Sequence, residues 1–381
     1  MSMFFTIAVI ILVFLVIFQI AKASEYVTVL KGEERSLKQH NKINAFLMIA
    51  FLIFGLIGVY WCNELFYGKT LMPIGSASVQ GEKVDSMLFL TIAITGVVFF
   101  ITQILLFWFA YKYQESDKRK VFFYPHNNKL EVLWTVVPAI FLTILVVIGL
   151  RNWFYFTGDA PKNAMQVEIT GKQFSWIYRY PGQDGVFGKK YYRLIDEGNF
   201  NPLGVIWRDS TIKKPDGTIV NFKADPASYD DIITTEAMYL VVNKPVKLLI
   251  NSRDVIHDVG LPQFRMKMDA VPGIPTTMWF TPKYTTKEMQ QKTGNPNFEY
   301  EISCDQLCGN GHFSMRGIIK VVTQPEFDEW MAKQKPAYYA AFPDLDPSAQ
   351  KTATLPAAAP ANSKVAETTI IDHLGTKKSK S

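Results

Sequence analysis

The sequence predicts a chain in two styles, N-terminal transmembrane α-helices followed by an all-β sandwich or barrel. Three observations carry this. Long apolar runs fill the first 156 of 381 residues. Beyond them the hydrophobic period changes to short alternating segments separated by Gly, Pro, Asn and Asp. From 336 onward the chain is rich in Ala and Pro with few aromatics, the composition of a disordered tail.

Four segments are apolar enough to span a bilayer, near 4–21 (FFTIAVIILVFLVIFQIA), 43–61, 87–111 and 131–150. Each is close to or above the ~18 residues that a crossing needs. Loop charge orients them. Lys22, Lys31, Arg35, Lys38 and Lys42 lie between the first two, only Lys69 and Lys83 in the next loop, and Lys112, Lys118, Arg119, Lys120 and Lys129 in the third. Loops one and three are therefore inside, and everything after about residue 151 is outside. Ala21-Lys22-Ala23 resembles a signal-peptide cleavage site, but no Lys or Arg precedes the apolar run. Its removal would also place the five-charge loop outside unless the second segment failed to span, so the first segment is expected to be retained.

In the outer region, MQVEITGKQFSWIYRYPG, MYLVVNKPVKLLINS, TTMWFTP, FEYEIS and RGIIKVV read as strands. In the first of these, Phe174, Trp176, Tyr178 and Tyr180 alternate and are expected on one strand face. Between about 187 and 235 the pattern weakens into a polar insertion, expected as a long surface loop or hairpin. Net charge is +6, but residues 157–335 carry 22 basic and 21 acidic side chains, so the excess lies mainly in the membrane part. Nothing in this distribution points to nucleic acid.

The chemistry is concentrated in EISCDQLCGNGHFSMRG, which holds two of the chain's three cysteines and one of its five histidines. A lone C-x3-C outside the membrane would read as a disulfide. Here His312 and Met315 follow Cys304 and Cys308 at metal-ligand spacing, and His257 sits in SRDVIHDVGLP. A thioether disfavours zinc. A mononuclear blue-copper site uses two His, one Cys and a weak axial Met, which leaves one thiolate over. Two copper ions bridged by both thiolates, each with one histidine and with Met315 as one axial ligand, use every donor. Such a closed site moves electrons and binds no reactant.

These residues resemble subunit II of a haem–copper cytochrome c oxidase with its dinuclear CuA site. The resemblance runs from about 75 to 335 and rests on LEVLWTVVPAI, GKQFSWIYRYPG, SRDVIHDVGLPQFRMKMDAVPG and CDQLCGNGHFSM. It implies a cupredoxin-type barrel (157–335) on a transmembrane hairpin (75–156), with two extra N-terminal helices (1–62) outside the common pattern. It also implies that the backbone carbonyl of Gln306 is the second axial ligand. The implied partners are subunit I with its haems and CuB, subunit III, and a cytochrome c or cytochrome c domain as donor. The implied setting is a bacterial inner membrane, with the CuA domain on the periplasmic side. The implied activity is cytochrome c oxidase: electrons taken at copper, passed to the haem of subunit I for oxygen reduction and coupled to proton pumping. The rival reading is a membrane-tethered cupredoxin electron carrier without an oxidase partner, against which LEVLWTVVPAI and MKMDAVPG speak.

Two departures matter. Family members often have Glu at the position of Gln306, where the carboxylate helps bind magnesium at the contact with subunit I, so an amide puts that metal in question. The family commonly has Trp, the residue where electrons enter, at the position of Phe174, which makes Phe174, with Trp176 beside it, the candidate for that role. The resemblance also places Glu131 at the mouth of a proton path, against the plainer reading of an interfacial carboxylate. Asp254 is expected to orient His257, and Lys267 and Asp269 to pin the domain to subunit I.

Overall fold

The computed structural model describes residues 2–116, 119–120 and 122–347. Four long helices come first: α1 (Ser2–Lys31), α2 (Glu33–Phe66), α3 (Val79–Lys112) and α4 (Asn128–Thr157). All four are long and apolar enough to cross a membrane. The charged stretch from 22 to 42, expected as a loop, is helical except at Gly32, whose φ of +83° makes the turn. No proline interrupts it, and its Lys and Glu residues are good helix formers. The two arms are tied by Ser24 Oγ to His40 Nε2 at 3.0 Å, Thr28 Oγ1 to Ser36 Oγ at 2.8 Å and Lys31 Nζ to Gln39 at 2.9 Å. Farther along, α2 meets α3 through Phe51 and Phe107, ring centroids 5.6 Å apart.

The outer domain holds β1 (Met165–Lys172), β2 (Ser175–Tyr180), β3 (Ser210–Lys213), β4 (Ile219–Phe222), β5 (Ile232–Thr234), β6 (Ala237–Val241), β7 (Val246–Ser252), β8 (His257–Leu261), β9 (Met266–Ala270), β10 (Thr276–Phe280), β11 (Tyr300–Cys304) and β12 (Arg316–Val322). Helices α5 (Thr286–Thr293), α6 (Gln324–Lys333) and α7 (Ala337–Ala341) complete it. One five-stranded sheet has the order β10-β7-β1-β2-β5 and the other β6-β12-β11-β8-β9, with β3 and β4 as a separate hairpin. Val167, Ile169, Leu248, Ile250, Val259, Leu261, Ile302 and Ile319 are buried in one core that the two sheets share. This is the expected cupredoxin-type barrel.

Three expectations are corrected. GKQFSW is not continuous strand: Lys172 pairs with Ser175, so Gln173 and Phe174 form a two-residue turn between β1 and β2. Phe174 therefore leaves the face shared by Trp176, Tyr178 and Tyr180, which are all buried. The insertion is more than a surface loop. It covers the other face of β2, where Ile177 joins Leu203, Val205, Trp207 and Tyr338 in a second core. Arg179, also on that face, is buried with Glu168 (3.2 Å) and Asp231 as ion-pair partners.

The tail does not begin at 336. α7 packs against the insertion, with Tyr338 stacked on Tyr229 at 4.2 Å and Phe342 edge-on to Trp207 at 6.0 Å. The aromatics of AYYAAF supply burial that the Ala/Pro-rich average conceals. The remainder of the expected tail, from 348, lies outside the described residues.

Candidate metal centre

His257 opens β8 and Cys304 closes β11, and the pairing of Cys304 with Val259 sets these strands side by side. After Cys304 the chain loops through 305–311 and makes a short turn at His312–Ser314. It is drawn back by the Cys304 N–H, which donates to the Met315 carbonyl at 3.1 Å. This closure folds four of the five side-chain donors into one short segment, and β8 delivers the fifth.

The two cysteines are free thiols with sulfurs 3.7 Å apart; a disulfide would need about 2.05 Å. One imidazole stands at each sulfur: His257 Nδ1 lies 3.8 Å from Cys304 Sγ and His312 Nδ1 3.7 Å from Cys308 Sγ. Met315 Sδ is 3.7 Å from Cys308 Sγ, and the Gln306 carbonyl oxygen is 3.1 Å from Cys304 Sγ. His257, Cys304, Cys308 and Met315 are buried, and His312 is half-buried. This donor set, two thiols, two imidazoles, a thioether and a carbonyl, suits copper better than zinc or a hard cation. Burial, with the neighbouring Cys304, pushes the Cys308 thiol up to about 11. A cation binding here must displace that proton.

His257 is held from behind. Its Nε2 lies 2.8 Å from Asp254 Oδ1, which directs Nδ1 toward the sulfurs. Partial burial works against the Asp254 charge, but the Gln173 N–H and the His257 ring hold the carboxyl below its usual range. Gln173 was not singled out from the sequence, although it stands in GKQFSW. Its N–H donates to Asp254 Oδ2 at 2.8 Å and its Nε2 to the Cys308 carbonyl at 2.5 Å, so it joins the two ligand loops. Gly171 was missed too. A Cβ there would lie 2.8 Å from the His257 ring, so glycine is what admits the imidazole.

Phe174 is half-exposed and lies against the Gly309–Gly311 stretch of the ligand loop, where a Cβ on Gly311 would come within 2.5 Å of its ring. Trp176 is only 2% exposed, with its ring 6.0 Å from that of His257. It is a wall of the centre and presents almost no surface of its own. Asp258, next to His257, is buried and ion-paired with Lys267 at 3.0 Å, and burial raises its carboxyl above the usual range. Lys267, Asp269 and Asp305 are exposed nearby. Glu131 is not part of this centre. It sits in the first turn of α4, about 39 Å of helix from Thr157, and its Oε1 accepts from the Asn127 N–H at 3.2 Å.

Two sequence profiles match the chain: cytochrome c oxidase subunit II transmembrane domain over residues 72–151 and its periplasmic domain over 165–322. An alternative cytochrome c oxidase subunit 2 of Bradyrhizobium diazoefficiens is 31% identical over 253 residues, covering 66% of this chain and 80% of the relative. A cytochrome c oxidase subunit 2 of Cereibacter sphaeroides is 26% identical over 251 residues, covering 66% and 75%. Among solved structures, the periplasmic domain of subunit II of cytochrome oxidase of Bradyrhizobium japonicum is 26% identical, covering 46% of this chain and 95% of that one, with a TM-score of 0.28.

Proposed function

The chain belongs to the cytochrome c oxidase subunit II family, and from that membership we propose that it accepts electrons from a cytochrome c-type donor at a dinuclear copper centre and passes them to the haem of subunit I. The observation that carries this reading is the pair of sulfurs 3.7 Å apart with one histidine Nδ1 at each. Cys304, Cys308, His257, His312, Met315 and the Gln306 carbonyl would hold the two copper ions. Copper bound by such ligands exchanges single electrons with little rearrangement of its surroundings.

The protein's own residues supply the rest. Asp254 and Gln173 hold the imidazole and the loop in place, and buried Trp176, Val259 and Ile302 share one core with both cysteines. Around the centre, Phe174, Ile256, Leu307 and Phe313 expose apolar surface, which suits a donor docking by hydrophobic contact in a domain of nearly balanced charge. In this reading residues 157–335 lie on the periplasmic side of a bacterial inner membrane, and 75–156 form the hairpin beside subunits I and III. Residues 1–62 add two helices. Glu131, at the inner end of α4, would guard proton uptake into subunit I for pumping. Gln306 brings no carboxylate for magnesium.

Metal analysis of the purified protein tests the core of the proposal. Two copper ions per chain with an electron-spin signal shared between them are expected, and one copper with an ordinary mononuclear spectrum would sink the dinuclear assignment.

A further inference from the structure

The metal centre hangs on two short strands, and both are rooted at the turn between β8 and β9. Phe264, in that turn, is fully buried and stacks at 4.7 Å on Tyr300, the first residue of β11. Its carbonyl accepts a hydrogen bond from Ser78 Oγ at 2.7 Å, and the same Ser78 oxygen caps α3 by accepting from the Gly81 N–H at 2.9 Å. Gly81 is small because a Cβ there would lie 2.5 Å from the Phe264 carbonyl. The first turn of a membrane helix is thus packed directly on the root of the ligand strands.

Arg265 completes the joint. It takes a left-handed φ of +58°, and its guanidinium reaches three separate segments. Nε donates to Asp85 on α3 at 2.9 Å, Nη1 to the Pro262 carbonyl at 2.8 Å, and Nη2 to the Leu71 carbonyl in the segment before α3 at 2.9 Å. The ion-paired side chains are only 12% and 14% exposed, so solvent screens the pair little. The Ala77 N–H, just before α3, also donates to the Gln263 carbonyl of the same turn at 2.9 Å, whereas Lys283 to Glu82 and Trp279 to the Gly158 carbonyl at 3.0 Å do not meet the roots of β8 and β11. From either root to the centre is roughly 13 Å of strand.

We propose that Arg265, with Asp85, is a positioning residue that fixes the height and tilt of the metal centre relative to the membrane helices, and so its separation from the partner's haem. The inference rests on the function proposed above. Without the guanidinium, β8 and β11 pivot together on Phe264. The ligands keep their mutual geometry while the whole centre shifts.

The test is time-resolved electron transfer in the assembled oxidase, reading the copper spectrum, copper reduction by a cytochrome c-type donor, and the copper-to-haem step separately. In Arg265→Met and Asp85→Asn, spectrum and donor reduction stay as in the parent while the copper-to-haem step slows about tenfold. The double variant Asp85→Arg with Arg265→Asp recovers most of that loss, and Glu82→Gln leaves the step unchanged. Asp85→Asn decides the matter if Arg265→Met does not assemble. A parent-like copper-to-haem rate in Asp85→Asn, an equal slowing in Glu82→Gln, or loss of the copper spectrum in Asp85→Asn would each overturn the positioning role. A parent complex whose copper is not reduced by the donor sinks the proposed function itself, and this inference with it.

Discussion

Asp254 Oδ1 lies 2.8 Å from His257 Nε2, while the other oxygen of the same carboxylate accepts the Gln173 N–H. One side chain thus orients a ligand and fastens the turn that holds the opposite loop. Asp254→Asn should weaken copper binding by about 10–100-fold. Competition with a copper chelator measures it, and unchanged affinity would return Asp254 to a loop charge.

Cys308 Sγ lies 3.7 Å from a donor atom of each of Cys304, His312 and Met315. Cys308→Ser should lose the two-copper signal, since a hydroxyl is a poor bridge at neutral pH. Met315→Leu should keep both ions and shift the redox potential, as an axial thioether tunes the metal more than it holds it. Metal content and potentiometry on the two variants separate these outcomes.

Phe174 and Trp176 should part company. Phe174→Ala removes exposed apolar surface beside the ligand loop, and reduction of copper by the donor should slow while the copper spectrum survives. Trp176→Ala opens a cavity against His257 and should cost about 3–5 kcal/mol of domain stability. Stopped-flow reduction and chemical denaturation of each variant check the pair. Parent-like reduction in Phe174→Ala would remove it from the donor surface.

Glu131 caps α4 through the Asn127 N–H, and a glutamine oxygen can accept the same bond. Glu131→Gln should therefore leave assembly intact and slow steady-state oxygen reduction without affecting copper reduction. Equal turnover in the two proteins would leave Glu131 a helix cap only.

Acid should loosen α6. The Lys287 ammonium, 2.7 Å away, and then the Thr323 N–H hold the Glu326 carboxyl down at about 2, against an ordinary value of 4.5. A depressed carboxyl stabilises the fold above its unfolded value, so this contribution is present above about pH 4.5 and fades as pH falls toward 2. The pair is partly exposed, so the loss is small and shrinks with salt. Comparing thermal stability of the parent and Glu326→Gln across pH 5 to 2 should show the gap between them closing, and a constant gap would refute it.

The membrane segments, the β class of the outer domain and the concentration of Cys304, Cys308, His312 and Met315 in one short stretch were legible in the sequence because each depends on local pattern. A bilayer demands an unbroken apolar run, a half-buried strand demands alternation, and the soft side chains of CDQLCGNGHFSM stand within twelve positions of one another. The length of the helices beyond the bilayer was not legible, because Lys22 to Lys42 are helix formers with no breaker but Gly32 and hydropathy is blind to them. Tertiary structure alone decided that Phe174 sits in a turn while Trp176 is sealed against His257, since a period of two cannot show where a strand reverses. It alone brought Gln173 to Asp254 and Cys308, laid AYYAAF on the insertion, and set Arg265 against Asp85, 180 residues away. Those contacts join segments far apart in the chain, and no local period or spacing encodes them. They form only when burial of the two cores brings the sheets, the insertion and the helix ends together.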